Sequence, residues 1–199
     1  MSAGPGAAST ERTAYLGIGS NLSPETHILK AIVEIRAQMQ VMAASRFYRN
    51  PAHQPDGDAA SQPDFVNGVL EVRTSRDPQE LKFGVLREIE RRIGRKRTAD
   101  RYAPRVLDLD LLIYGEVRME TETLVLPDPE IFRRAFWAVP LSELVPDFPG
   151  PGPALSLKLL VHRMDTRSLK YEETLTRAVR EAIGYPSVPG PGKSSASAG

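Results

Sequence analysis

The chain has 199 residues, 26 basic and 25 acidic, and no cysteine. That length suits one domain with a real core. A nearly balanced charge gives no general polyanion-binding surface, and the absence of cysteine excludes disulfides and thiolate zinc sites and is compatible with a reducing cytoplasm. The N-terminus MSAGPGAASTERT lacks a signal-peptide core and no window approaches a membrane span, so a soluble cytoplasmic protein is expected.

Residues 1–12 are small and polar and read as a disordered tail. TAYLGIGSN follows as a strand, with Tyr15, Gly17 and Gly19 on one face and Ala14, Leu16 and Ile18 on the other. Two glycines on one face predict close approach to the backbone. Ser23-Pro24-Glu25 predicts a helix start with Ser23 as N-cap, and Ile28, Ile32, Ile35 and Met39 follow at helical spacing. Val41 to Tyr48 reads as a second strand, running into the Pro-, Asp- and Gly-rich loop RNPAHQPDGDAASQP. A structureless loop of that length tends to be a lid or binding loop. Its Asp56 and Asp58 read as solvated, and His53 as incidental.

DFVNGVLEVRT is the third strand and places Phe65 and Asn67 on one face, a ring for stacking beside an amide that both donates and accepts. Asp77-Pro78 opens a second helix with the apolar stripe Leu81, Val85, Leu86 and Ile89, closed by Gly94. Short segments are expected around Val117 and from Leu124 to Leu126, IFRRAFWAVPLSELVP brings Arg134, Phe136 and Trp137 together, and Leu155 to Val161 forms a last short element. Residues 166–184 read as a helix, and SVPGPGKSSASAG is low-complexity tail. The order strand, helix, strand, strand, helix, strand matches a ferredoxin-like split βαβ arrangement, an α+β fold with an antiparallel sheet and both helices on one face.

The stretch from Gly94 to Tyr114 carries the densest chemistry. Arg95, Lys96, Arg97, Arg101 and Arg105 lie in a loop-like segment, and Val106 to Tyr114 is a strand on which Asp108 and Asp110 share a face. Paired carboxylates repel unless a cation sits between them, and magnesium takes one or two carboxylates with phosphate oxygens and water. An Asp–Arg salt-bridge cluster on a solvated strand edge would use the same residues; the adjoining arginines favour metal and phosphate. No G-x-x-x-x-G-K-[ST] pattern occurs, so phosphate is not handled by a P-loop.

Seven segments resemble 6-hydroxymethyl-7,8-dihydropterin pyrophosphokinases: YLGIGSN at 15–21, SRFYRNP at 45–51, QPDFVNG at 62–68, E-x-x-x-G-R-x-R from Glu90 to Arg97, YAPRVLDLDLLIYG at 102–115, LPDP at 126–129 and RRAFWAVPLSELVPDF at 133–148. The resemblance implies a pyrophosphokinase domain over residues 13–162; residues 163–185, which match no family motif, read as a C-terminal appendage of helical character, and 186–199 as a disordered tail. It implies transfer of the β,γ-pyrophosphate of ATP to the pterin hydroxymethyl group, in folate biosynthesis, by a monomer with no nucleic-acid or membrane partner.

By position, Asp108 and Asp110 would hold two magnesium ions. Arg95 and Arg105 would bind phosphate, and Arg97 would lie on a catalytic loop. Phe65 and Phe136 would sandwich the pterin, with Asn67 on its edge, Tyr102 closing over it, and Asn50, Pro51 and Gly19 completing the pocket. Glu90 would lie on the adenosine side, and Arg134 would help close the site. One departure is Asp128, where the family pattern P-H-P carries a phosphate-binding histidine; Tyr102 in place of tryptophan is another. Rival classes are a nucleic-acid binder of the same fold, which would need a basic face, and a catalytically weak nucleotide- and pterin-binding homologue.

Overall fold

The computed structural model describes residues 11–52, 62–96, 103–152 and 155–184. Strand β1 (Arg12–Ser20) is the second strand of an antiparallel sheet. It pairs on one side with β4 (Phe65–Thr74) and on the other with β5 (Asp108–Tyr114), which lies at the sheet edge. The far edge of β4 carries β2 (Gln40–Ala44) and β3 (Tyr48–Asn50) one after the other. The single strand expected from Val41 to Tyr48 is therefore interrupted. Ser45 replaces the regular ladder, its N–H donating to Val69 O and its Oγ accepting from Val69 N, both at 2.9 Å. The break turns Phe47 into the core, where its ring lies 2.7–2.8 Å from a Cβ position at Gly68 and leaves room for glycine alone.

Helix α1 (Pro24–Gln38) buries Ile28, Ile32 and Ile35 at the predicted spacing. Ser23 does not cap it through its side chain. The residue is left-handed, with φ 45°, and its carbonyl accepts from Thr26 and His27 N–H instead. The second predicted helix begins with a π-helical turn, Glu80–Leu86, continues as α2 (Arg87–Ile93) and ends at Gly94 with φ 109°. Asp77 Oδ1 accepts from Glu80 N at 2.9 Å, as its place before Pro78 suggests. Leu81, Leu86 and Ile89 join Leu16, Ile18, Leu70, Leu109 and the α1 isoleucines in one core.

A ribbon of β6 (Met119–Glu120) and β7 (Val125–Leu126) follows, then a 3₁₀ turn over Pro129–Phe132. Helix α3 (Ala135–Leu144) covers the opposite sheet face, with Trp137, Ala138 and Leu141 packed on Val69, Leu112 and Ile113 in a second core. Helix α4 (Leu157–Val161) adds Leu157 to that core. The segment expected as an appendage is built into the domain. Strand β8 (Lys170–Tyr171) pairs with β3, and α5 (Glu173–Ala182) sends Leu175 and Val179 into the α1 core. Thr176 Oγ1 accepts the Phe47 N–H at 2.9 Å. Only 173–182 of the helix expected over 166–184 forms. Among the described residues no helix is long and apolar enough to cross a membrane.

Candidate active site

Sheet register sets the geometry. Gly17 lies between Asp110 and Val69, and Gly19 lies between Asp108 and Asn67. A Cβ at Gly17 would sit 2.8–3.1 Å from the Trp137 ring, and one at Gly19 would collide with the Asn67 amide. The two glycines thus let an indole and an amide lie close against β1 beside the aspartates. These are the close approaches the glycine pattern predicts.

Above this floor is a cavity of about 270 Å³. It is walled by Phe65, Asn67 and Asn50 on one side, by Phe136, Trp137 and Arg134 on another, and by Asp108, Asp110 and Arg105 on the third. Phe136 meets Trp137 edge-on at 5.3 Å between ring centres. Asn67 Nδ2 donates to Asn50 Oδ1 at 2.7 Å, and Asn50 Nδ2 to Pro51 O at 3.0 Å, so the amides are oriented before any ligand arrives. Pro51 lines a neighbouring cavity, and Gly19 contributes floor rather than wall.

The carboxylates are held by different cations. Asp108 accepts from Arg95 at 2.5 Å through Oδ1 and from Arg105 through Oδ2. Asp110 Oδ1 accepts from Lys82 Nζ at 2.5 Å, and Lys82 also donates to Leu109 O at 3.0 Å. Burial alone would raise the Asp108 pKa, yet Arg105 and Arg95 overcome this and hold it below the usual range. Asp110 shifts upward, through burial and through repulsion from Asp108, which Lys82 and Arg95 offset only in part. Three cations thus face the two carboxylates, with Arg95 shared between Asp108 and Glu90.

Glu90 is buried and stands behind this layer. One of its oxygens accepts from Leu109 N at 2.8 Å and pairs with Arg95, which links α2 to β5 and to the Asp108 cluster. A second cavity, of about 340 Å³, opens there between Phe83, Arg87, Glu90 and Arg95. Asn21 Oδ1 accepts from Arg105 N at 2.7 Å, and Asn21 N donates to Arg105 O at 3.1 Å, which fixes Arg105 to the end of β1. Arg134 is paired with Glu130 at 2.8 Å. Asp128 caps the 3₁₀ turn through Glu130 N, and burial pushes its pKa up to about 6. Arg133, a candidate to offset Asp128, is exposed and 3.8 Å from Glu130. Arg97, Tyr102, His53, Asp56 and Asp58 lie outside the described residues.

Sequence reasoning missed Lys82, Asn21 and the packing role of Trp137. Lys82 sits beside the apolar Leu81 on a helix whose stripe explains its neighbours, so nothing local marks it. Asn21 closes the TAYLGIGSN segment, where nothing local points to Arg105 as its partner. For Trp137 the two glycines were the signal, although they name no partner.

A ferredoxin-like sheet thus carries paired carboxylates and guanidiniums beside a cavity with aromatic walls, a set of groups suited to phosphate-group transfer next to a flat ring. The model of the family 7,8-dihydro-6-hydroxymethylpterin-pyrophosphokinase matches residues 15–146. The chain is 36% identical over 155 residues to 2-amino-4-hydroxy-6-hydroxymethyldihydropteridine pyrophosphokinase of Synechocystis, covering 76% of each protein. It is 32% identical over 164 residues to the Aquifex aeolicus protein of that name, covering 82% of this chain and 93% of the relative. Its fold is similar to that of wild-type Plasmodium falciparum HPPK-DHPS with pteroate, at TM-score 0.58 and 11% identity, over 77% of this chain and 42% of the other. It thus spans less than half of that solved chain. The chain belongs to the hydroxymethyldihydropterin pyrophosphokinase family.

Proposed function

We propose that this chain moves the β,γ-pyrophosphate of ATP to the hydroxymethyl oxygen of 6-hydroxymethyl-7,8-dihydropterin, releasing AMP and the pterin diphosphate. The observation that carries this is the placement of Asp108 and Asp110, through their register with Gly19 and Gly17, on the wall shared by the ring-binding cavity and the arginines. Phe65 and Phe136 would stack on the two faces of the pterin, and Asn67 and Asn50 would bond its edge. A preset amide pair selects a ring with alternating donors and acceptors, because a ring lacking them leaves buried polar groups unpaired. The adenosine end would lie toward Phe83, Arg87 and Glu90, with the triphosphate running past Arg95 and Arg105.

Each guanidinium has more N–H groups than its carboxylate can use, so Arg95 and Arg105 can grip phosphate without releasing Asp108. Their fixed charge lies where negative charge develops on the transferred group. Glu90 keeps Arg95 aimed, and Asn21 keeps Arg105 aimed. Arg97 and Tyr102, and the closing role of Arg134, belong to this proposal as residues that would exclude water.

The donor set fits magnesium. Two hard carboxylates share one sheet face on the wall of the cavity, and magnesium completes its shell with water and phosphate. Asp108 and Asp110 would hold two magnesium ions, which supply neutralisation of the triphosphate and polarisation of the attacking hydroxyl.

Protein, Mg-ATP and hydroxymethyldihydropterin, with the nucleotide products separated, test the proposal. Pterin-dependent AMP is expected, whereas ADP would mean ordinary phosphoryl transfer. Asp128 favours a second outcome, slow turnover. Its carboxylate is ionised above pH 6 and stands where the family pattern has a phosphate-binding histidine.

A further inference from the structure

Among the described residues, Lys82 is the one bound to the carboxylate pair that the transfer reaction leaves without a role. It is carried on the π-helical turn, a feature often found at functional sites, and its side chain is 20% exposed. Asp108 is tied to two guanidiniums that can also serve phosphate, but Asp110 is tied to a single ammonium whose second bond goes to the Leu109 carbonyl. An ammonium is a compact point charge with no fixed fork, so it can leave a carboxylate oxygen without distorting its neighbours. A divalent ion with a demanding shell needs that same oxygen.

We infer that Lys82 is a resident counter-cation of Asp110, which keeps the site charge-balanced before substrates bind and competes with divalent ions for Oδ1. This rests on the metal role given to Asp110 above. It makes Lys82 a positioning residue that sets how readily the site is loaded. Without it the site binds metal more tightly but folds less well when empty, since the like charges of Asp108 and Asp110 are left to repel. Asp128, within electrostatic reach of both Lys82 and Asp110, adds to that repulsion.

Lys82→Met keeps the length of the side chain and removes the charge, while Lys82→Arg keeps the charge. Binding of MnCl2 to each purified protein is read by the loss of free-ion electron paramagnetic resonance signal, with and without α,β-methylene ATP. Melting temperature is read with EDTA and with Mn²⁺. Removing one unit charge adjacent to the ligand oxygen is expected to tighten Mn²⁺ binding about tenfold in Lys82→Met. It should also lower the EDTA melting temperature by about 5 °C, with Mn²⁺ restoring it. Lys82→Arg should stay within about twofold of wild type in Mn²⁺ affinity.

Unchanged or weaker Mn²⁺ binding in Lys82→Met would overturn the inference, as would an arginine variant that behaves like the methionine one. If wild type binds no Mn²⁺ even with the nucleotide analogue, the metal role of Asp110 fails and this inference with it. If wild type binds and only the variant difference is missing, Lys82 alone loses its role.

Discussion

Alanine at Gly17 places a methyl group against Trp137, the only tryptophan of the chain. The added carbon would lie 2.8, 2.9 and 3.1 Å from three ring atoms. Carbon atoms rest at about 3.5–4.0 Å, so the indole must retreat by roughly 0.5–1 Å. Trp137 is buried among Val69, Ile113 and Leu141 and also lines the ring-binding cavity, so part of that retreat narrows the cavity.

Overpacking of this kind costs about 1–3 kcal/mol. Alanine regains about 0.5–1 kcal/mol over glycine in a strand, which is the smaller effect. A net loss of about 1–2 kcal/mol lowers the melting temperature of a domain this size by about 2–8 °C. Displacement of the ring should weaken pterin binding about tenfold, equivalent to about 1.4 kcal/mol. Both effects are measurable with one probe, because emission from the single tryptophan reports unfolding on heating and quenching on pterin titration. An unchanged melting temperature together with an unchanged pterin affinity would refute the close packing of Trp137 on β1.

Three further outcomes follow from other parts of the molecule. Asp128→Asn should be more stable than wild type above pH 6 by about 1–2 kcal/mol, since burial raises the folded pKa to about 6 and the ionised carboxylate opposes folding. A raised acid pKa costs stability as pH climbs from about 4 to 6, so denaturation curves of the two proteins should converge on acidification; a gap that widens instead refutes the assignment. The same variant should bind ATP more tightly at pH 8, read as a lower KM. Leu175→Ala should cost about 2–4 kcal/mol in urea denaturation although it lies beyond residues 15–146, and a loss under 1 kcal/mol would return residues 163–184 to the status of an appendage.

Much of the site was legible because strand periodicity is strict. The alternation in TAYLGIGSN, DFVNGVLEVRT and LDLDLLIY puts Gly17 with Gly19, Phe65 with Asn67, and Asp108 with Asp110, each pair on one face of its own strand, and the register brings the three strands' pairs together. What stayed hidden depends on contacts between distant segments. Lys82 reaches Asp110 across the space between helix and sheet, and Glu90 reaches Leu109 N in the same way. Ser23 looked like a side-chain cap, but a left-handed backbone let its carbonyl serve the helix instead. The place of the C-terminal segment stayed hidden because it depends on distant contacts, with Thr176 accepting from Phe47 N where the sheet edge breaks and β8 pairing with β3.

The most direct test is pterin-dependent AMP formation by Asp110→Ala, with circular dichroism and melting temperature measured on the same preparation. A folded variant whose rate falls by about a thousandfold or more is expected, as for loss of a group that stabilises transferred charge. A folded variant turning over at the wild-type rate would contradict the role of the paired carboxylates.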